Sequence, residues 1–284
     1  MGEQDRQPTP DPAEDNAFFP SPLSLGEYTA PKTDFDGLVD GRYEGGRWKV
    51  LVVATEERYM LMQNDTMFST GNHPVETLLP LHHILEAGYG VDIATPTGAP
   101  AKLEWWGYPD QDPQVRSAWE RLRSQFKAPR RLGEVVAELD ADSDYAAVFV
   151  PGGHGAMLGL PECTAVQELL DWALDTERLV VILCHGPAAL LAASIGRERS
   201  PFAGYSICSF PDALDSGANV DIGYLPGAMP WLLGAALKKD GIVVVNDEMT
   251  GATTRDRNVL SGDSPLAANQ LGKDTVAALL ERFT

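Results

Sequence analysis

The sequence predicts an α/β protein with a mostly parallel β-sheet and helices on both faces. The first observation is a series of short, nearly all-apolar runs rich in β-branched residues, which is typical of strands buried on both faces. The second is that helical patterns lie between several of these runs, as in βαβ units. The predicted strands cover 48–55, 90–95, 145–151, 179–183, 204–210, 241–246 and 259–261. The predicted helices cover 73–87, 162–176, 187–195, 230–239 and 265–283.

One long segment, 97–142, interrupts this alternation. It contains two adjacent tryptophans and a charged helical pattern, and it is too long for a simple crossover between strands. Residues 1–45 are rich in Pro, Gly and Asp, which favours an irregular arm laid over the surface. We therefore predict a catalytic core of residues 46–96 and 143–284, and a small cap subdomain that residues 97–142 form together with the arm.

The composition limits the possible partners and compartment. The chain of 284 residues has a formal net charge of −19, which disfavours a dedicated surface for nucleic acid or for an anionic membrane. Three cysteines are too few for a disulfide framework, so we expect a reducing compartment. No apolar run reaches the ~20 residues that span a bilayer, and the polar N-terminus lacks a signal-peptide core. These features predict a cytoplasmic protein.

Cys184 directly follows the apolar run 179–183, and Gly186-Pro187 then opens a helical pattern. Strand, reactive residue, small residue and helix is the order of a nucleophile elbow, a tight turn that projects a side chain over the end of a sheet. The positive end of the following helix is expected to lower the pKa of the thiol. The alternative is a buried structural cysteine beside a surface histidine, His185.

A second turn, with the sequence PGGHG at 151–155, also follows an apolar run. Consecutive glycines allow backbone N–H groups to point into a site and stabilise an oxyanion. The amides of Gly153 and His154, beside that of His185, are therefore candidate oxyanion or substrate-binding donors. The alternative is a flexible turn between strand and helix. A phosphate cradle is disfavoured because the turn lacks the lysine of a P-loop.

Glu76 lies in the first turn of the predicted helix 73–87. It could simply complement the helix dipole, and the spacing alone does not decide this. As a functional residue it would be the acid/base beside Cys184, because apolar surroundings raise the pKa of a carboxyl and let it share a proton with a thiol.

These three elements, and long stretches around them, resemble the PfpI-type superfamily. More closely they are similar to its HchA subgroup, described as glyoxalase III, Maillard deglycase and heat-inducible holding chaperone. The resemblance runs through most of the chain and includes EDNAFFPSPLSLGEYTAP (14–31), FSTGNHPVETLLPL (68–81), SDYAAVFVPGGHGAMLGLPE (143–162), ILCHGPAALLA (182–192), GYSICSFPDALD (204–215) and LSGDSPLAANQLGK (260–273).

The resemblance implies a flavodoxin-like sandwich with a small second domain, assembled as a homodimer. It implies Cys184 as the nucleophile, His185 beside it and Glu76 near the thiol. It also implies an acidic residue that orients His185. Spacing does not distinguish Asp212 from Asp215, and the resemblance assigns this role to Asp215.

The chain departs from the family at one site. Enterobacterial members carry a metal site of two histidines and one carboxylate between the core and the small domain. The matching positions here are Leu85, Gly90 and Leu122, which cannot bind metal. His82 and His83 are adjacent on a helix and diverge, whereas zinc needs three or four convergent ligands. We therefore predict no metal and no cofactor.

The predicted function is a glutathione-independent glyoxalase (methylglyoxal to lactate), a deglycase of early glycation adducts, or both. In enzyme classes these are a glyoxalase III-type lyase and a protein deglycase hydrolase. The substrates would be small α-oxoaldehydes or glycated amines and thiols. Three alternatives remain open: a holding chaperone for unfolding clients, a cysteine peptidase or amidase, and a redox sensor in which Cys184 is oxidised.

Overall fold

The structure, a computed structural model, describes residues 3–284. The strands are β1 (Thr9–Pro10), β2 (Ala17–Phe19), β3 (Lys49–Val53), β4 (Tyr59–Leu61), β5 (Met67–Ser69), β6 (Gly90–Thr95), β7 (Arg130–Arg131), β8 (Tyr145–Val150), β9 (Leu179–Leu183), β10 (Ser206–Ile207), β11 (Val243–Val244), β12 (Thr253–Asp256) and β13 (Val259–Gly262). The α-helices are α1 (Pro22–Tyr28), α2 (Pro74–Glu86), α3 (Pro113–Lys127), α4 (Leu132–Ala137), α5 (Thr164–Asp175), α6 (Asn219–Asp221), α7 (Leu233–Lys239) and α8 (Ala268–Arg282).

A seven-stranded sheet in the order β12-β13-β9-β8-β3-β6-β7 forms the centre of the molecule. Every neighbouring pair in it is parallel except β12 and β13, which form an antiparallel edge. The prediction of an α/β protein with a mostly parallel sheet is therefore confirmed. Helix Pro187–Ile195 was predicted from the sequence, and the structure has a 3₁₀ helix there, Gly186–Ser194.

The two faces of the sheet bury two separate cores. Along β3, Leu51 and Val53 belong to one apolar cluster, whereas Val50 and Val52 belong to the other. This alternation follows from the period of two in a strand, and it explains why the strand is apolar at nearly every position. Helices α4, α5 and α7 cover the first face, and α2, α3 and α8 cover the second.

The segment 97–142 contributes to both the central sheet and the second core. Strand β7 extends the central sheet beside β6, and α3 buries Val115, Leu122 and Phe126 in the second core. The packing of α3 follows from its amphipathic pattern, because its apolar side must be buried against other apolar residues, as that of α2 is. The arm does pair with the rest of the chain, since β1 and β2 form a small sheet with β5 and β4.

The predicted strands 204–210 and 241–246 form a strand over only part of each range, as β10 and β11. These two-residue strands pair with each other in parallel and not with the central sheet. Within residues 3–284, no helix is both long and apolar enough to cross a membrane.

Candidate active site

Strands β8 and β9 are parallel neighbours, so the turns after their carboxyl ends meet at one edge of the sheet. Cys184 occupies the turn after β9 with a φ of 58°, in the left-handed region that non-glycine residues rarely adopt. Its N–H donates to the carbonyl of Gly262 and its carbonyl accepts from the N–H of Phe210. These bonds to neighbouring segments hold the strained turn in place. The residue is only 4% exposed.

A chain of hydrogen-bonding groups leads away from the sulfur. The Cys184 Sγ lies 3.2 Å from His185 Nδ1, and His185 Nε2 lies 2.8 Å from Asp215 Oδ2. The other carboxylate oxygen of Asp215 lies 3.0 Å from His154 Nε2 and accepts a 2.8 Å bond from the side-chain amide of Asn219. The two imidazole rings are tilted against each other with centroids 3.9 Å apart. Asp215 therefore ties both histidines together.

The charges in this cluster are set by burial and by pairing. Burial alone would raise the pKa of Asp215, but His154 and His185 outweigh it and hold the pKa well below its usual range. Burial and the nearby His154 lower the pKa of His185 to about 4. Burial also acts to lower the pKa of His154, but Asp215 and Glu104 raise it overall. His185 is thus neutral near pH 7, with Nε2–H donating to Asp215 and Nδ1 facing the sulfur.

Glu76 approaches the same sulfur from the first turn of α2. Its side chain is fully buried, and within the described residues neither carboxyl oxygen makes a hydrogen bond of normal geometry. Burial raises the pKa of Glu76 well above its usual value, although the Cys184 thiol and the Gly153 amide are near enough to oppose the shift. Gly152 leaves room for this approach, because a Cβ there would collide with the carboxyl and lie 2.6 Å from the Cys184 Cβ.

The thiol does not have the lowered pKa that the sequence predicts. Burial raises the pKa of Cys184 well above its usual value, the neighbouring Glu76 raises it further, and only the Gly153 amide acts strongly against them. The predicted lowering of the thiol pKa is therefore wrong. Two acidic groups in contact inside a protein cannot both lose their protons, so Cys184 and Glu76 hold at least one proton between them.

The two predicted amide donors have different surroundings. The Gly153 amide faces both Cys184 and Glu76, and it adopts a φ of 97° that favours glycine. The His154 amide faces the Glu104 carboxyl instead, where it opposes the raised pKa of that group. The imidazole of His154 is bonded to Asp215, a contact that the sequence does not predict.

A cavity of about 250 Å³ adjoins the site. Three of its lining residues contact the site residues described above. His73 caps the helix of Glu76, and the ring of Phe210 stacks on that of His185 with centroids 4.7 Å apart. Asn219 donates a hydrogen bond to Asp215. Helix α1 of the arm contributes part of the wall. The full lining is Glu27, Tyr28, Thr29, His73, Trp106, Phe210, Asn219, Tyr224, Met249, Pro265 and Leu266.

Comparisons with known proteins identify the family of the chain. The sequence model of the DJ-1/PfpI family matches residues 67–217, more than half of the chain. The chain is also 59% identical over 282 residues to the protein/nucleic acid deglycase HchA of Staphylococcus aureus (strain Newman), covering 99% of this chain and 97% of that protein. The chain belongs to the DJ-1/PfpI family. The resemblance stated from the sequence motifs is confirmed.

Solved structures agree on the DJ-1/PfpI fold. The Rapid Encystment Protein 24 kDa of Francisella tularensis superposes with a TM-score of 0.66 at 18% identity, over 82% of this chain and 99% of that one. Glyoxalase III of Candida albicans superposes with a TM-score of 0.63 at 22% identity, over 82% of this chain and 98% of that one. At these identities the likeness concerns the fold, and it confirms the predicted flavodoxin-like architecture.

Two groups of residues bear on whether the chain could bind a metal ion. Leu85, Gly90 and Leu122 carry no ligating side-chain atom, and Leu122 is packed in the second core. Ligating atoms of His154, His185 and Asp215 lie within 4.8 Å of one another, close enough for a metal ion. Each of those atoms is already paired within the cluster, and Asp215 also accepts from Asn219. The donor set therefore fits a hydrogen-bonded relay better than a metal centre.

Sequence reasoning missed two polar residues of this site in the DJ-1/PfpI fold. Asn219 lies four residues after Asp215, at the end of a π-helical turn, so helical spacing from the carboxylate could have suggested it. Glu104 is fully buried; its Oε1 accepts a 2.6 Å bond from Thr70 and its Oε2 has no partner among the described residues. Burial raises the pKa of Glu104 to about 7. Nothing in its local sequence sets it apart from a surface glutamate.

Proposed function

We propose that this protein is a glutathione-independent glyoxalase and deglycase that uses Cys184 as its nucleophile. The observation that carries the proposal is a buried thiol beside a buried carboxyl, at a small, largely apolar cavity. Among the described residues, the carboxyl oxygens have no hydrogen-bond partner of normal geometry. Such a pair can pass a proton to and from a captured substrate without metal or added thiol. The 59% identity to a protein named as a deglycase supports the same activity.

The first step is capture of the aldehyde. Cys184 Sγ adds to the aldehyde carbon of methylglyoxal, the C=O bond becomes C–O⁻, and the proton that Cys184 and Glu76 hold moves to that oxygen. The product is a hemithioacetal. Since the proton is already within the pair, the thiol need not be ionised in the resting enzyme. The Gly153 amide, which faces the sulfur, stabilises the developing oxyanion.

The second stage moves hydrogen within the adduct. A carboxylate at Glu76 removes the proton from the sulfur-bearing carbon, and an enediolate forms with its negative charge on the ketone oxygen. The hydroxyl proton on the first carbon then passes to the ketone oxygen, and Glu76 returns its proton to the neighbouring carbon. The product is a thioester, so one carbon is oxidised while the other is reduced. Water then hydrolyses the thioester to lactate and restores the thiol. His185 is neutral, so it can act as the base that activates this water.

The deglycase reaction uses the same attack on a different substrate. In an early adduct of an amine with methylglyoxal, the sulfur displaces the nitrogen from the carbinol carbon. The amine leaves with a proton from the Cys184–Glu76 pair, and the remaining hemithioacetal follows the route above to lactate. The net charge of −19 favours adducts of proteins and small molecules over those in a nucleic-acid duplex as substrates.

Four further predictions from the sequence stay predictions. They are the cytoplasmic location, the homodimer, the division into core and cap, and a holding-chaperone role. The peptidase alternative is less well supported, because a thiol that is 4% exposed beside a cavity of about 250 Å³ leaves little room for a polypeptide.

The test is product analysis with methylglyoxal in the absence of any added thiol. We expect lactate from the wild-type protein, and we expect Cys184→Ala to lower turnover by at least about 10³-fold. Cys163→Ala is the matched control, since it removes a thiol at the start of α5, outside the site. Turnover by Cys184→Ala at the wild-type rate would contradict the proposal.

The deglycase half needs its own control because adducts release free methylglyoxal. Amine release from a preformed adduct is measured with this protein and, separately, with an unrelated enzyme that only consumes methylglyoxal. We expect faster release with this protein. Equal rates would contradict direct deglycation.

A further inference from the structure

His73 lines the cavity next to the reacting groups but has no role in the mechanism above. It is the N-cap residue of α2, three positions before Glu76. Its Nδ1 accepts from the backbone N–H of Glu76 at 3.5 Å, which satisfies one of the free donors at the start of the helix. The position therefore serves the helix that carries Glu76.

The cap also fixes which ring nitrogen of His73 carries a proton. Because Nδ1 is the acceptor, the proton of the neutral ring is on Nε2. Within the described residues, Nε2 has no hydrogen-bond partner, and the residue lines the cavity. Burial lowers the pKa of His73 to about 3, and His154 and His185 act in the same direction. The ring is neutral at pH 5 and above, and it presents an unused N–H donor.

The backbone of His73 lies beside the glycine turn that borders the sulfur. The N–H of His73 donates to the carbonyl of Gly152 at 2.9 Å, and Gly152 is the residue whose bare Cα accommodates both Glu76 and Cys184. His73 also lies close to Gly153, since a Cβ on Gly153 would lie 2.5 Å from the His73 backbone nitrogen. The His73 backbone thus adjoins Gly152 and Gly153, and the residue lines the cavity into which an adduct on Cys184 would extend.

We propose that the Nε2–H of His73 donates a hydrogen bond to the second carbonyl oxygen of an α-oxoaldehyde held on Cys184. The inference rests on the proposed function and adds a catalytic residue to it. Enediol formation places negative charge on the ketone oxygen, which is one carbon further from the sulfur than the oxygen that Gly153 serves. A neutral imidazole stabilises that charge without giving up its proton, so the donor is present throughout the neutral range.

Two substitutions separate the donor from the cap. His73→Asn keeps an acceptor at the Nδ1 position and a good N-cap, but it loses the donor at Nε2. His73→Gln carries an amide N–H near the Nε2 position and caps poorly. We expect Asn to keep the wild-type melting temperature and to lower kcat on methylglyoxal by about 10²-fold, the usual cost of one oxyanion donor. We expect Gln to melt earlier and to retain more of kcat than Asn does.

Alkylation of Cys184 by iodoacetamide across pH gives the readout that a purely structural role would change. If His73 acts only on the substrate, the alkylation profile of His73→Asn matches that of the wild type. The inference is overturned if Asn keeps the wild-type kcat, or if its alkylation profile shifts together with kcat. If the wild-type protein forms no lactate, both the proposed function and this inference fail; if it does and Cys184→Ala does not, a normal kcat in Asn overturns the inference alone.

Discussion

Glu76 and Asp215 are both buried carboxyl groups, yet the structure shifts their pKa values in opposite directions. Glu76 is 0% exposed and Asp215 is 4% exposed. Glu76 has no hydrogen-bond partner of normal geometry among the described residues, and burial raises its pKa. Asp215 is bonded to two imidazoles and an amide, and its pKa is lowered despite burial.

The comparison shows that burial alone does not set the charge of a carboxyl. Burial penalises the ionised form in both cases, and the partners decide whether that penalty is offset. Asp215 keeps its charge and fixes the imidazoles, whereas Glu76 keeps a proton and can exchange it with the thiol. Pairs of titratable groups with opposite shifts are a signature of acid and base roles. The predictions below alter each side of this contrast in turn.

The largest effect is expected from Glu76→Gln. The amide has nearly the same shape, but it cannot take a proton from the adduct, so we expect turnover of methylglyoxal to fall by about 10³-fold. Steady-state kinetics with the purified variant would measure this. The thiol should still react with iodoacetamide, which separates lost proton transfer from a lost nucleophile. Turnover within a few-fold of the wild type would remove Glu76 from the mechanism.

A smaller effect is expected from Asp215→Asn. His185 loses the carboxylate that fixes its tautomer and orientation, and misplacement of a catalytic group costs up to about 10²-fold in turnover. A lowered carboxyl pKa also stabilises the fold, fully above the unfolded-state pKa of about 4 and progressively less as pH falls below it. We therefore expect the variant to be less stable than the wild type at pH 7, and the difference to narrow toward pH 3. Denaturant unfolding at several pH values checks this; a constant difference would contradict it.

The smallest effect is expected from Glu104→Gln, and it concerns stability. Burial raises the pKa of Glu104 from 4.5 to about 7, so the folded protein holds a proton that the unfolded chain releases. That stability is therefore lost as pH rises between these values. We expect wild-type stability to decline by about 2 kcal/mol more than that of the variant between pH 5 and pH 8. Parallel pH profiles of unfolding would contradict the raised pKa of this buried carboxyl.

The sequence was sufficient for the sheet and for the turn that carries the thiol. Apolar runs such as 179–183 are buried on both faces, so their pattern alone identifies them as strands of a parallel sheet. The order of strand, reactive residue, small residue and helix predicts the elbow. In the structure, Cys184 has the left-handed backbone conformation. Both features depend on short-range pattern, which a single sequence contains.

The charge states could not be predicted from the sequence, because they depend on contacts between distant segments. The pKa of Cys184 is raised by burial and by Glu76, which is 108 residues away in the chain. The neighbouring sequence shows only the start of a helix, which is expected to lower that pKa. The hydrogen bond of the His154 imidazole to Asp215 spans 61 residues, so the local glycine spacing gives no sign of it. The packing of α3 in the second core depends on such contacts too, since an amphipathic stripe does not specify which surface it covers.

The most direct test of the contrast between the two carboxyls is infrared difference spectroscopy at pH 7 in a Glu104→Gln background, which removes the other buried carboxyl with a raised pKa. The account predicts a protonated carboxylic acid C=O band that disappears when Glu76→Gln is added and persists when Asp215→Asn is added instead. A spectrum without that band, or a band that disappears with Asp215→Asn, would contradict the assignment of a proton to Glu76.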